Sequence, residues 1–375
     1  MARSTPRSGT RSVLLLFFIS TTMWCLWTLS ERDQRRYVSP LEAVAPLKVS
    51  HSPKSPENAT FVTLARNSDL KDLLNTITSV EDRYNRRYHH DWVFLNDEPF
   101  SQEFQDVTSS LISGTAKFGV IPREHWSYPD WINQTEAQET RVRMKNIIYG
   151  DSESYRHMCR FESGFFFHHP LMQQYRYYWR VEPSTQLHCD IEYDVFRFMR
   201  EKDKKYGFTI TIHEYIATIE SLWQVTTDFL KHYPQYVAKD NLMKFISDTD
   251  GLTYNLCHFW SNFEVADMEF WRGDAYQRYF NHLDQSGGFF YERWGDAPVH
   301  SIAASIFLNA SQIHFFEDIG YSHPPYTHCP RDCISRGLKC NCLPKDSFDW
   351  DPYSCTKEYY NAQRLQMPPE LLHQN

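Results

Sequence analysis

The sequence predicts an α/β protein with a mostly parallel central sheet flanked by helices. Three observations predict it. Short apolar, β-branched runs alternate with segments of helical period over much of the chain. One aromatic run, Tyr177-Tyr178-Trp179-Arg180-Val181, ends in Glu182 and is closed at once by Pro183, which cannot donate to a central ladder. The chain has 375 residues and is 41% hydrophobic, enough for one large domain or two smaller ones.

The elements follow in order. Ala59 to Ala65 reads as a buried strand, Arg66-Asn67-Ser68 as a turn with Ser68 a fair N-cap, and Asp69 to about Arg86 as a helix. Its apolar residues Leu70, Leu73, Leu74, Ile77 and Val80 keep the 3.6 period. Trp92 to Asn96 is a second strand, Phe100 to Ile112 a second helix, and Lys117 to Ile121 a third strand. The first strand-to-helix turn has no glycine fingerprint, which argues against a dinucleotide cofactor of the usual kind. Arg66 in that turn is placed to meet a nucleotide phosphate, or is a plain surface arginine. Glu182, at a strand's carboxyl end, reads either as a cleft ligand for a phosphate-carrying divalent metal or as the cap of the next turn.

The N-terminus points to a membrane. Val13 to Leu29 is a 17-residue uncharged stretch behind a 12-residue head carrying Arg3, Arg7 and Arg11. That length is at the short end for a hydrocarbon core of ~30 Å. A cleaved signal peptide would have a shorter apolar region and a small-residue cleavage site, and none is found. The expectation is a single-pass type II signal anchor with the bulk of the chain in the lumen: head 1–12, span 13–29, proline-rich stem 30–58 and globular body 59–375. Such a layout suits a resident Golgi enzyme, and equally a tethered receptor or lectin.

Of nine cysteines, Cys25 lies in the apolar stretch and eight lie beyond it. An even number in an oxidising compartment suggests disulfides, with 105 possible pairings left open. The run Cys329, Cys333, Cys340, Cys342 fits no standard zinc spacing, so oxidation is expected throughout the 329–355 segment. Sequons at Asn58, Asn133 and Asn309 add weak support for a lumen. A net charge of -8 and the lack of a basic stripe argue against nucleic acid. Aromatic residues make up 16% of the chain, which serves either a large aromatic core or the stacking of sugars. Polar groups set among aromatics, including Glu214, Glu264, Asp296 and His323, suggest a cleft for a polar substrate.

Five segments carry a resemblance: WRVEP, YGFTITIHEY, CHFWSNFE, GGFFYERWGDAPVHS and DIGYSHPPY. Together, and in this order, they resemble the fungal KRE/KTR/MNT α-1,2-mannosyltransferases, glycosyltransferase family 15, from about Ala59 through the cysteine-rich tail. The resemblance implies a GT-A-type nucleotide-sugar transferase fold, GDP-mannose as donor, Mn2+ as cofactor and retention of configuration. Glu182-Pro183-Ser184 takes the place of the usual Asp-x-Asp metal motif, and Glu182 with His323 is the expected metal pair. Glu264 matches the family's proposed nucleophile, and Tyr155 a tyrosine near the reacting sugar. Glu214 is a candidate for substrate hydroxyls and Asp296 for acceptor activation. The expected acceptor is a mannose-terminated glycan, on glycoprotein or mannan, in the Golgi. A lectin-like mannan binder on the same scaffold and a mannosylphosphate transferase remain as alternatives.

Overall fold

The computed structural model describes residues 57–369, and the fold set out here is that of residues 57–363. The head, the apolar stretch 13–29 and nearly all of the stem lie outside the described residues. Among the described residues no helix is long and apolar enough to cross a membrane.

Twelve strands form in chain order: β1 (Ala59–Leu64), β2 (Asp91–Asn96), β3 (Ala116–Val120), β4 (Tyr177–Val181), β5 (Gln186–Leu187), β6 (Tyr206–Phe208), β7 (Thr211–His213), β8 (Cys257–Phe259), β9 (Phe263–Asp267), β10 (Ile313–Phe315), β11 (Tyr321–His323) and β12 (Tyr326–His328). Seven make the central sheet, in the order β10-β6-β9-β4-β1-β2-β3. β1 pairs in parallel with both β2 and β4, β2 with β3, and β10 with β6. The expected mostly parallel sheet is therefore present in these four pairings. The departure is β9, which runs antiparallel between β4 and β6 and carries Glu264. Thr211–His213 lies outside this sheet and pairs only with β8.

The helix after β1 runs Leu70–Arg83 and the next Gln102–Leu111, each within three residues of expectation at both ends. Leu73, Ile77, Val80 and Phe104 from these helices pack on Phe61, Trp92, Phe94, Trp179, Phe263 and Val265 from the sheet. Rings form a ladder across β1, β2 and β3: Phe61 on Trp92 at 4.6 Å, then Phe94 on Phe118 at 5.3 Å. Truncating such a ring to alanine typically costs about 3–5 kcal/mol, so much of the aromatic content is core.

The other face of the sheet differs in kind. Side chains alternate along a strand, so Tyr178 and Arg180 on β4 point away from the aromatic core, as does Glu264 on β9. The helices Glu153–Gly164 and Asp296–Phe307 supply partners on that face, and the buried polar groups there pair with one another.

Among the described residues Cys189–Cys340 and Cys257–Cys355 tie the C-terminal segment to the body, and Cys329–Cys342 closes a loop within that segment. Cys159 and Cys333 are buried free thiols, which corrects the expectation that the whole 329–355 segment is oxidised. Cys329 directly follows β12, which pairs with β11, so the segment does brace the hairpin bearing His323.

Candidate active site

A cleft of about 660 Å³ opens at the carboxyl ends of β1, β2 and β4. In open α/β sheets that is where ligands gather, beside the point at which the strand order reverses. β1 sits at that point here, with β2 and β3 leading away on one side and β4 on the other.

Arg66, Tyr155, Glu182, Glu214, Asp296 and His323 all line this cleft. Each is delivered by a local device. The Arg66 amide donates to Asp69 at 2.8 Å, fixing the turn after β1, and its guanidinium donates to Ser154 Oγ at 2.6 Å. Ser152 caps the helix Glu153–Gly164 by accepting from the Tyr155 amide at 3.1 Å, which sets Tyr155 in the first turn. Its ring stacks on Tyr149 at 4.6 Å, with the Arg293 guanidinium 5.2 Å from the ring centre. Burial pushes the Tyr155 hydroxyl pKa well up, so it stays protonated. Glu214 follows β7; Tyr215 N–H donates to it at 2.8 Å and Arg293 Nη2 lies 3.6 Å away.

Glu182 follows β4 immediately, and His323 ends β11. Arg180 Nη2 donates to Glu182 Oε1 at 2.5 Å, leaving Oε2 turned toward His323 Nε2, 4.0 Å away. That gap is too long for a hydrogen bond. Both atoms would instead be free to serve as ligands to one divalent cation. His323 Nδ1 is buried without a partner, and the ring stands edge-on to Trp260 at 5.4 Å. A carboxylate oxygen and an imidazole form a donor set that suits manganese. The residues present fit such an ion. His213, Cys257 and Cys355 also cluster, but the two sulfurs are bonded to each other and offer no thiolate.

Glu264 departs from expectation. Its carboxylate is fully enclosed and does not line the cleft. Oε2 accepts from Tyr206 Oη at 2.8 Å and His300 Nδ1 at 3.0 Å, and Oε1 accepts from Tyr178 Oη. The physical reason is register: on β9 it stands opposite Arg180, one residue short of the end of β4, so it lies beneath the floor of the cleft.

The floor itself is Arg180, not singled out from the sequence. Its Nη1 donates to Asp296 Oδ2 at 2.5 Å and lies 4.0 Å from Glu162 Oε2. Burial favours its neutral form, but Asp296, Glu182, Glu162 and Glu264 outweigh that and hold it firmly protonated. Burial likewise opposes the charge on Asp296, and Arg180 with His300 nevertheless holds its pKa below the ordinary carboxylate value. Glu162 is pushed up to about 7 by burial, against the pull of Arg180. Two periodicities mark these groups in the sequence: Arg180 lies two residues before Glu182 on one strand face, and His300 four after Asp296 on one helix face.

The whole globular body has known relatives. A family model described as "Glycolipid 2-alpha-mannosyltransferase" matches residues 27–364. "Glycolipid 2-alpha-mannosyltransferase 2" of Candida albicans is 60% identical, over 86% of this chain and 71% of that protein. "Alpha-1,2 mannosyltransferase KTR1" of Saccharomyces cerevisiae is 58% identical, over 83% and 80%. Core-mannan synthase A (CmsA/Ktr4) of Aspergillus fumigatus, solved in a Mn/GDP form, superposes with a TM-score of 0.78 at 40% identity, covering 84% of this chain and 87% of that one. With the five sequence segments gathered on one scaffold, and most of their polar residues around one cleft, this chain belongs to the glycolipid 2-α-mannosyltransferase family, glycosyltransferase family 15.

Proposed function

We propose that this chain is a retaining α-1,2-mannosyltransferase of GT-A type, moving mannose from GDP-mannose to a mannose-terminated glycan with Mn2+ as cofactor. The observation that carries this reading is the facing pair Glu182 and His323, 4.0 Å apart in a cleft that also holds Arg66. A bound manganese would take up charge developing on the departing diphosphate, as a Lewis acid. Glu182 and His323 would hold it, while Arg66 presents its guanidinium to the phosphates. Glu214 and Tyr155 are offered to the hydroxyls and ring of the transferred sugar. Asp296, expected to activate the acceptor, already accepts from Arg180 and Ser261, and its pKa is held low. It therefore suits orienting a hydroxyl better than strongly deprotonating one.

We further propose a type II Golgi membrane protein with its catalytic body in the lumen. The uncharged stretch 13–29 and the three disulfides support this.

The test is turnover. Purified full-length protein, GDP-mannose, Mn2+ and an α-mannoside should release GDP and form a new α-1,2-linked mannose, identified by linkage analysis. Sugar binding without turnover would establish the lectin-like alternative instead. A phosphodiester product would establish mannosylphosphate transfer.

A further inference from the structure

The Glu264 carboxylate is held from three directions beneath the cleft, and one of those contacts, His300, leads back toward the cleft floor. Tyr178 Oη donates to it and itself accepts from Trp271 Nε1 at 2.9 Å. His300, whose ring stacks on Trp271 at 4.2 Å, donates from Nδ1. His300 lies one helical turn beyond Asp296 on the helix Asp296–Phe307, so the Glu264–His300 contact anchors the turn of helix that carries Asp296. Asp296 holds Arg180, and Arg180 holds Glu182. Glu264 also stands directly opposite Arg180 in the antiparallel register, on the same face of the sheet. A carboxylate with no exposed surface and with donors on both oxygens cannot reach an anomeric carbon in the cleft without giving up these bonds.

We propose that Glu264 is a positioning residue, which together with His300 sets Asp296 and Arg180 at the cleft floor and so aims Glu182 at the metal. The inference rests on the mannosyltransferase reading, and it separates Glu264 from the nucleophile that the family resemblance implies. The two roles make opposite predictions about binding. A nucleophile contributes at the reaction step, so Glu264→Gln would leave Mn2+-dependent GDP affinity intact while turnover collapses. A residue that aims a metal ligand from behind changes metal-dependent affinity itself, typically by ~10–100-fold.

The experiment measures Mn2+-dependent GDP affinity, kcat, KM and melting temperature for wild type, Glu264→Gln, Tyr206→Phe, His300→Gln and the Glu264→Gln/His300→Gln double variant. Tyr206→Phe removes one donor to Glu264 and keeps the ring, so it decides the matter if Glu264→Gln does not fold. The expected result is ~10-fold or greater weakening of Mn2+-dependent GDP binding in Glu264→Gln and His300→Gln, and a smaller shift in the same direction for Tyr206→Phe. The double variant should be little worse than either single one, because both act through one chain of contacts. Unchanged GDP affinity with collapsed turnover overturns the proposal, as does recovery of a Glu264→Ala variant by azide with formation of a mannosyl azide. Lower melting temperatures with unaltered affinity and turnover well below them would reduce Glu264 to a packing role, and overturn it too. Wild-type turnover is measured alongside, so failure of the mannosyltransferase reading is seen separately.

Discussion

Replacing Arg180 by methionine removes the guanidinium at the cleft floor while keeping much of its length. In the native protein its guanidinium meets Asp296 and Glu182 at 2.5 Å each, lies 4.0 Å from Glu162, and stands opposite Glu264. Removing one partner from a buried pair costs about 3–5 kcal/mol, because the other charge stays behind in a poor solvent. For a body of about 300 residues, with an unfolding entropy of ~2.1 cal/mol/K per residue, that is a fall of roughly 5–8 °C in melting temperature. The pH dependence gives the sharper test. In wild type the Asp296 pKa is lowered, so its contribution to stability is present above the unfolded pKa and lost as pH falls through the folded one. Without Arg180, Asp296 is governed by burial, and its pKa moves up. The variant's stability is then lost as pH rises through the new folded value, and Glu162, already pushed up to about 7, moves the same way. The deficit against wild type should therefore already be present near pH 5, where the wild-type Asp296 contribution is complete, and should grow toward pH 8 as the variant's buried carboxylates are forced to ionise. Melting curves in metal-free buffer across that range measure it, with the disulfides kept intact. A deficit that did not vary with pH, or a variant melting within about 2 °C of wild type near pH 8, would refute the reasoning, since a 3 kcal/mol loss predicts several degrees.

Three further predictions follow from particular contacts. Glu182→Gln and His323→Ala should each lose more than tenfold in Mn2+-dependent GDP affinity, yet melt like wild type without metal, because both side chains are about one-quarter exposed; titration calorimetry with and without Mn2+ checks both. Breaking Cys257–Cys355, which spans 98 residues, by a double alanine substitution should cost about 2–5 kcal/mol, read from urea unfolding under non-reducing conditions. A Cβ added at Gly164 would lie 2.0 Å from the Phe280 ring, so Gly164→Ala should destabilise by about 1–3 kcal/mol or more, with the far-ultraviolet spectrum preserved.

The sequence located β1 to β4 and their two helices because each carries its own signal. Trp92 to Asn96 and Tyr177 to Val181 are short, aromatic and β-branched, and Pro183 marks where the second must stop. β9 has no such mark. Phe263-Glu264-Val265-Ala266-Asp267 is a strand because two neighbours accept it, and its antiparallel sense comes from where the chain returns. The same blindness governed the cysteines: their even number spoke for bridges, while which thiols meet depends on a 151-residue separation closing between Cys189 and Cys340.

By itself, then, the sequence determined the alternation that builds the sheet and the family to which the chain belongs. It also determined which polar residues lie at strand and helix ends, because strand termination, capping and motif order are local properties written in neighbouring residues. Six of the seven residues it named line one cleft for that reason. Only the tertiary structure decided that the seventh, Glu264, is walled in by Tyr178, Tyr206 and His300, from segments 86, 58 and 36 residues distant along the chain. Burial is a property of what arrives from elsewhere, and no local pattern states whether a carboxylate ends up at the mouth of a cleft or one layer beneath its floor.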